Sequence, residues 1–332
     1  MITRRILLAA PTLAAPALAI PAISPAHAQE ERFEAFLAGV RAEARKAGIS
    51  QATLDRAFAN IKPNQRVIEL DRKQPEFTMT WDRYKTLVIS DQRIADGKIA
   101  YRQNAALLQS IQSRTGVSAN VVMGIWGLES NFGTKTGGFH VIEALATLAW
   151  EGRRAAFFRT ELMAALKILQ AGDITPDRMT GSYAGAMGQP QFMPTSFVRL
   201  AVDFDGDGKR DIWNSKADAL GSIGNYLQKS GWREGETWGQ EVILPTNFDV
   251  GGTGRDNKRP MAEWQRAGVR PVSGQFRVRP DAQTAIVMPD GPSLGQAAAA
   301  FLVTGNFTAI RRYNPSDFYA TAVGLIGDQI LA

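Results

Sequence analysis

The 332-residue sequence contains no cysteine and only two histidines, His27 and His140. Without cysteine the chain can form neither disulfide bonds nor a cysteine-linked lipid anchor, so its stability has to come from a hydrophobic core. Two isolated histidines exclude a zinc-binding cluster and a Ser/His/Asp catalytic set. Lysine and arginine form no dense run despite a formal charge of +6, and no glycine-rich phosphate-binding loop is present. We therefore expect no organic cofactor and no nucleic-acid partner.

Long apolar runs are also lacking, except at the N-terminus. Arg4 and Arg5 precede an acid-free apolar run over residues 6–23, and Ala26-His27-Ala28 fits a small-x-small cleavage site. Several prolines interrupt the run, which argues against a membrane-spanning helix. We expect residues 1–28 to be a cleavable export signal of the Tat or Sec type. The remaining chain is then a periplasmic protein with neither a lipid anchor nor a transmembrane helix.

The hydrophobic pattern changes character along the rest of the chain. Helical periodicity runs through residues 29–115 and through residues 116–232, with one helix expected over 94–113. From 233 to 305, glycine, proline and short apolar runs replace it and predict a small β-rich domain. Residues 306–332 form a C-terminal segment expected to return to the helical part. The fold class is therefore α+β, mainly α, with strands expected at 241–244, 275–278 and 285–288.

Residues 124–133, Gly-Ile-Trp-Gly-Leu-Glu-Ser-Asn-Phe-Gly, place one carboxyl group near the end of an apolar helix. Ser118 predicts the beginning of this helix, and Asn131 with Gly133 predicts its end. Apolar neighbours and the partial negative charge of a helix C-terminus both favour the protonated form of Glu129. Glu129 is therefore a candidate general acid. The segment alone is equally compatible with a glutamate on the exposed side of a core helix.

A second segment, residues 181–196, combines small residues with uncharged hydrogen-bonding groups and apolar surface. Ser182 and Gln191 offer a hydroxyl and an amide, while Phe192 offers a flat apolar face. Recognition of a sugar needs this mixture, because a sugar ring has apolar C–H faces and polar substituents. Taken alone, the segment is better explained as a tight loop before a helix capped at Thr195 or Ser196.

Together the two segments resemble the lytic murein transglycosylases of the membrane-bound transglycosylase B type. The resemblance continues through residues 144–154, the acidic loop at Asp203, and residues 221–226 and 311–319. It implies a goose-type lysozyme-like core in residues 116–232, with Glu129 as the catalytic acid/base. By motif position it also implies that the glycan groove is lined by Ser182, Gln191, Tyr226, Tyr313, Asn314 and Tyr319. Tyr84, from a region that matches the family poorly, is a further candidate for the groove.

The chain departs from this family in two places. Gln189-Pro190 stands where a Tyr-Gly pair is common in the best-known form, and the missing lipid-attachment cysteine indicates a soluble relative. The implied partner is the glycan strand of peptidoglycan, with other wall-synthesis or wall-remodelling proteins as further partners.

The implied reaction is cleavage of the β-1,4 bond between N-acetylmuramic acid and N-acetylglucosamine. Most glycosidases need two carboxyl groups, but only Glu129 lies in a sugar-binding motif, and Glu143, Glu151 and Glu161 are expected to be solvated. One glutamate would then act as acid and afterwards as base, and the sugar's own 6-hydroxyl would close a 1,6-anhydro ring. The alternatives are a muramidase with the same glutamate, in which water replaces that hydroxyl, and a non-catalytic wall-binding scaffold protein.

The acidic segment 203–211 places oxygen donors at alternating positions, like the first half of an EF-hand loop. A bidentate glutamate is missing at the twelfth position, so the following helix has to supply the remaining ligand, as the resemblance also implies. An Asp/Gly turn without metal is the alternative. We expect structural Ca²⁺, bound by the carboxylates of Asp203, Asp205, Asp207 and Asp218 and by the backbone carbonyl of Lys209.

Overall fold

The computed structural model of the protein describes residues 25–73 and 79–332. The predicted export signal lies outside the described residues as far as residue 24. Among the described residues, no helix is both long and apolar enough to cross a bilayer. The described part is mainly helical, as expected. Its helices are α1 Pro25–Lys46, α2 Gln51–Ala57, α3 Gln65–Arg72, α4 Trp81–Val88, α5 Asp91–Gln103, α6 Ala105–Thr115, α7 Ala119–Ser130, α8 Val141–Glu151, α9 Ala155–Ala171, α10 Pro194–Leu200, α11 Lys216–Lys229, α12 Met261–Arg266, α13 Gly305–Tyr313 and α14 Asp317–Leu331.

The single helix expected over residues 94–113 is in fact two helices, α5 and α6, and that prediction was wrong. The chain leaves the helical conformation at Asn104, which has φ −120° and ψ 16°. The side-chain amide of Asn104 donates to the carbonyl oxygen of Ala100 at 2.7 Å. Asparagine competes in this way for backbone hydrogen bonds, which makes it a poor residue for a helix interior.

The strands form a two-stranded and a five-stranded antiparallel sheet. In the first sheet, β1 (Phe139–His140) pairs with β2 (Thr180–Gly181). The second has the order β4-β6-β7-β3-β5 and lies within residues 239–303, in the interval where the sequence predicts a small β-rich domain. Its strands are β3 Gly239–Ile243, β4 Arg259–Pro260, β5 Arg270–Pro271, β6 Gln283–Val287 and β7 Ala300–Val303.

The strand expected at residues 275–278 is wrong, because that stretch is a loop. The central strand β7 was missed instead. It directly follows an alanine-rich stretch that has no strand signal of its own. Strands β4 and β5 are two residues long, which is too short for any alternation of apolar and polar residues to show.

Buried apolar side chains form three clusters. The first joins α1 to α8 and α9 through residues such as Phe33 and Leu145, and the second surrounds α7 with α11 and α14 through residues such as Trp126. The third fills the space between the five-stranded sheet and α12 around Trp264. The indole of Trp238 lies directly against Gly324 of α14, so the sheet is docked on the second cluster.

Candidate active site

The register between α7 and α14 is set by glycines that allow the two backbones to approach closely. A Cβ on Gly124 would lie 2.1 Å from the carbonyl oxygen of Val323, and one on Gly327 would lie 2.2 Å from that of Asn120. The two helices therefore run antiparallel at van der Waals contact, and larger side chains at these positions would separate them. This register brings the end of α7 next to the beginning of α14.

Glu129 and Tyr319 meet at that point. The Tyr319 hydroxyl donates a hydrogen bond of 2.6 Å to Oε1 of Glu129, and the Tyr319 side chain is buried. Burial and the nearby Glu129 carboxyl raise the pKa of Tyr319 well above its usual value, so its hydroxyl stays a donor. The tyrosine can thus hold the glutamate in one orientation.

The turn that follows Glu129 has an unusual backbone. Asn131, Phe132 and Gly133 have φ values of 47°, 58° and 82°, so three successive residues are left-handed. A bulky residue such as Phe132 rarely adopts this conformation. The turn is held by the amide of Gly133, which donates to Oγ of Ser130 at 3.0 Å, and by an edge-to-face contact of Phe132 with Trp126. Strained backbone of this kind is enriched at functional sites.

The environment of Glu129 favours a protonated carboxyl group. Its pKa is raised from 4.5 to about 7, because burial raises it by more than the hydrogen bond from Tyr319 lowers it. The residue is partly buried, so a ligand can still reach it. No other carboxyl group of the described residues contributes to its pKa. A group with these properties can donate a proton near neutral pH.

Aromatic side chains extend from Glu129 along one wall. The rings of Tyr313 and Tyr319 are nearly parallel with centroids 6.5 Å apart, and the centroid of Tyr226 lies 4.6 Å from that of Tyr313. Phe192 packs against both Tyr226 and Tyr313 at 5.6 and 5.7 Å. Three residues named from the sequence therefore come together beside Glu129.

Tyr84 approaches the same carboxyl group from α4. Burial, and then the charge of Glu129, raise the pKa of Tyr84 to about 12, while the neighbouring Arg93 opposes the shift. The ring of Tyr84 lies 5.4 Å from that of Phe318, at the beginning of α14. Burial lowers the pKa of Arg93, which gave no signal in the sequence because only the folded chain brings it near Tyr84.

The remaining residues expected in the groove hydrogen-bond to backbone atoms of the surrounding loops. Oγ of Ser182 accepts from the amide of Ala186 at 3.0 Å. The side-chain amide of Gln191 donates to the carbonyl oxygens of Gly188 and Thr136. Asn314 is exposed, and its Oδ1 accepts from the amide of Ser316 at 3.2 Å. None of these hydrogen bonds involves Glu129.

The expectation that Glu161 is solvated was wrong. Its side chain is 3% exposed and accepts hydrogen bonds from the amide and the hydroxyl of Thr195, at 2.9 and 2.7 Å. Glu161 therefore supplies the cap of α10, which begins at Pro194 and not after a cap at Thr195 or Ser196. The helical spacing of the sequence predicts that Glu161 lies on a helix. It does not predict that α10 begins next to Glu161 and buries its side chain.

The acidic loop brings four carboxyl groups together. Oxygen atoms of Asp203, Asp205, Asp207 and Asp218 all lie within 4.8 Å of one another, and Asp218 is fully buried. Backbone amides that donate to Asp203 also shape the loop. Carboxylate oxygens converging on one point are the donor set that a hard cation such as Ca²⁺ prefers. The residues present therefore fit such an ion.

Comparison with known proteins places these features in a family. Residues 32–328 match the family model described as "Transglycosylase SLT domain". The chain is 30% identical over 297 residues to membrane-bound lytic murein transglycosylase B of Escherichia coli (strain K12), which covers 86% of this chain and 79% of that protein.

Two solved structures are similar over most of their length. SltB3 from Pseudomonas aeruginosa, in complex with NAG-anhNAM-pentapeptide, is 45% identical with a TM-score of 0.86, covering 90% of this chain and 80% of that one. The lytic transglycosylase Slt35 from Escherichia coli, in complex with calcium, is 27% identical with a TM-score of 0.74, covering 96% of this chain and 98% of that one.

Proposed function

Since the chain belongs to the lytic murein transglycosylases with an SLT domain, we propose that Glu129 cleaves the β-1,4 MurNAc-GlcNAc bond of peptidoglycan and leaves a 1,6-anhydromuramic end. The observation that supports this assignment most is the pairing of one partly buried carboxyl group of raised pKa with a tyrosine donor. The SltB3 structure contains a fragment with an anhydro-muramic group, which is the expected product class.

In the first step, protonated Glu129 donates its proton to the glycosidic O4 as the C1–O4 bond breaks. The positive charge that develops at C1 is stabilised by the N-acetyl group of the same muramic acid. Glu129 becomes an anion in this step, and the hydrogen bond from Tyr319 stabilises that anion. General acid catalysis of this kind contributes about 10²–10⁴-fold.

In the second step, the anionic Glu129 removes the proton of the muramic 6-hydroxyl, and the oxygen forms a bond to C1. The ring closes, Glu129 regains the proton that it lost, and no water is consumed. A second protein carboxylate is therefore not needed as a nucleophile or base, unlike in most glycosidases.

The aromatic wall is proposed to hold the sugar rings. Tyr313 and Tyr226 present flat apolar faces to the C–H surfaces of the glycan, and the buried Phe192 packs behind them. Tyr84 approaches the site from α4. The polar groups proposed to contact ring substituents are Ser182, Gln191, Asn314 and the tyrosine hydroxyls.

The acidic loop is proposed to hold one structural Ca²⁺ through Asp203, Asp205, Asp207, Asp218 and the carbonyl oxygen of Lys209. Support comes from the convergence of four carboxylates and from Slt35, whose structure contains calcium. A bound cation would neutralise the repulsion among these acids. Asp218 also accepts the amide of Phe204 at 2.7 Å, so it already ties the loop to α11.

The cellular setting follows from the substrate. Peptidoglycan lies outside the cytoplasmic membrane, so residues 1–28 are proposed as the export signal and the periplasm as the location. The proposed domains are residues 29–115, the catalytic core 116–232, the β-rich domain 233–305 and the C-terminal segment 306–332. Peptidoglycan glycan strands are the proposed partner, together with other wall-synthesis or wall-remodelling proteins.

Mass spectrometry of digested murein sacculi tests the reaction. We expect anhydromuropeptides from the wild-type protein and a loss of activity of about 10²-fold or more in Glu129→Gln. Products heavier by one water, with reducing ends, would instead assign the protein as a muramidase. Binding of sacculi without any soluble product would assign it as a scaffold. Full activity of Glu129→Gln would remove Glu129 from its proposed role.

A further inference from the structure

We propose that Gln189 is a positioning residue for Glu129. Its buried side chain contacts the chain on both sides of Glu129 and holds the carboxyl group in place. The inference rests on the proposed role of Glu129 and concerns one of the positions at which the chain departs from the family pattern. The side chain of Gln189 is 5% exposed, so it offers no surface to a glycan.

Gln189 joins the helix that carries Glu129 to the segment that precedes α11. Its Oε1 accepts the indole N–H of Trp126 at 3.0 Å, and its Nε2 donates to the carbonyl oxygen of Trp213 at 3.1 Å. Its backbone amide donates to the carbonyl oxygen of Ile212 at 3.0 Å. The buried amide is therefore paired at both ends, and a buried paired amide holds its neighbours in a defined geometry.

The same amide group packs against the turn that follows Glu129. A Cβ on Gly133 would lie 2.6 Å from Oε1 of Gln189, so the turn and the amide are in direct contact. Trp126 lies one helical turn before Glu129, and Gly133 lies four residues after it. Gln189 thus touches the chain on both sides of the carboxyl-bearing residue, in a turn whose backbone is already strained.

Pro190, the next residue, is linked through Tyr313 to Tyr319, the hydrogen-bond partner of Glu129. The carbonyl oxygen of Pro190 accepts the Tyr313 hydroxyl at 2.5 Å, and the Tyr313 ring stacks on Tyr319, which donates to Glu129. The Gln189-Pro190 pair is therefore linked to Glu129 by two routes, one through the helix turn and one through the two tyrosines.

A purely structural role for Gln189 would lower stability but leave the carboxyl group in the same environment. A positioning role predicts that the Glu129 turn loosens, that water reaches the carboxyl group, and that its pKa falls towards 4.5. The titratable and charged groups facing Glu129 are Tyr319, Tyr313 and Tyr84, with Arg93 beside Tyr84. All four remain in a Gln189 variant, and loss of the Tyr319 hydrogen bond would raise the pKa of Glu129, so a fall in that pKa would report loss of burial.

The experiment compares Gln189→Leu and the more adaptable Gln189→Met with a matched control, Asn306→Leu. Asn306 is also a fully buried amide, and it bonds to Arg233 and Glu236 at the beginning of α13. The pKa of Glu129 is measured directly by the pH dependence of its ¹³C carboxyl resonance, and kcat and KM are measured on a soluble muramyl oligosaccharide from pH 4 to 9.

We expect both Gln189 variants to lower the pKa of Glu129 by about one pH unit. The alkaline limb of the profile of kcat against pH should move to lower pH by the same amount. At pH 7 the protonated fraction of Glu129 then falls from about one half to about one tenth, so we expect kcat to fall by about fivefold, with KM changed less than threefold. Asn306→Leu should lower the melting temperature and leave the pKa of Glu129 and the alkaline limb unchanged.

A folded Gln189→Met protein in which Glu129 titrates as in the wild type would overturn the proposal, and so would an equal pKa change in Asn306→Leu. If Gln189→Leu does not fold, the pKa of Glu129 in Gln189→Met tests the proposal. The carboxyl resonance needs no catalysis, so positioning is tested even if Glu129→Gln shows that another group is the acid.

Discussion

Replacing Glu129 by glutamine should stabilise the protein at alkaline pH even though it removes the proposed catalytic acid. Burial raises the pKa of Glu129 from 4.5 to about 7. The folded state therefore holds this proton more tightly than the unfolded chain does. Stability from that proton is fully present below pH 4.5 and is lost as the pH rises through 7.

The size of the effect follows from the same values. At about 1.4 kcal/mol per pH unit of pKa difference, the folded protein loses about 3 kcal/mol of stability between pH 4.5 and pH 8. Glutamine is neutral throughout this range and can still accept the hydrogen bond from Tyr319. The Glu129→Gln variant should therefore retain most of the folding stability that the wild-type protein loses between pH 4.5 and pH 8. Active-site groups of many enzymes show this conflict between stability and function.

The assay is thermal unfolding of wild-type and Glu129→Gln protein at pH 4, 6 and 8. We expect similar melting temperatures at pH 4 and a variant that melts several degrees higher at pH 8. Glu161→Gln is the matched control, because Glu161 is a buried carboxyl group that accepts two hydrogen bonds from Thr195. An amide has only one oxygen with which to accept these two bonds, so the variant weakens at least one of them and should destabilise at pH 8. The predicted pH dependence would be refuted if Glu129→Gln did not melt at a higher temperature than the wild type at pH 8, or if the difference in melting temperature were the same at pH 4 and pH 8.

Two further changes test other parts of the site. Tyr319→Phe removes the hydrogen bond that lowers the pKa of Glu129, so the alkaline limb of the pH–rate profile should move up by about one pH unit, opposite to Gln189→Leu. A limb that stays in place would mean that the bond does not act on the carboxylate. A calcium chelator should lower the melting temperature of the wild-type protein, added Ca²⁺ should restore it, and Asp218→Asn should weaken this response. A wild-type melting temperature unaffected by saturating chelator would remove the metal from the proposal.

The features that local sequence predicts are those formed by neighbouring residues. The apolar stretch before Glu129 predicts its helix, and Asn131 predicts the end of that helix, where the structure has a left-handed residue. The alternation of Asp203, Asp205 and Asp207 predicts a cluster of oxygen donors, and the structure brings these carboxylates together. Each of these signals lies within about a dozen residues.

The features that escaped prediction depend on contacts between distant segments. The burial of Glu161 depends on α10 beginning against α9, and the bond from Trp126 to Gln189 spans 63 residues. Tyr84 was named only through the family resemblance and not from its local sequence, because its position depends on Trp81, whose amide donates to Asp290 across 209 residues and whose ring packs on Phe301. Periodicity predicts which face of a helix is buried, but not which side chains of other elements pack against that face.

A single group that gives up a proton and later takes one back works best with a pKa near the working pH. Burial alone would leave Glu129 a poor proton donor, since a proton held too tightly is not released to the glycosidic oxygen. Tyr319 works against burial by stabilising the anion that the first step creates. The two effects have opposite signs and come from different elements, burial from the packed end of α7 and the hydrogen bond from α14. The close antiparallel contact at Gly124 and Gly327 is therefore the feature that lets both act on one carboxyl group.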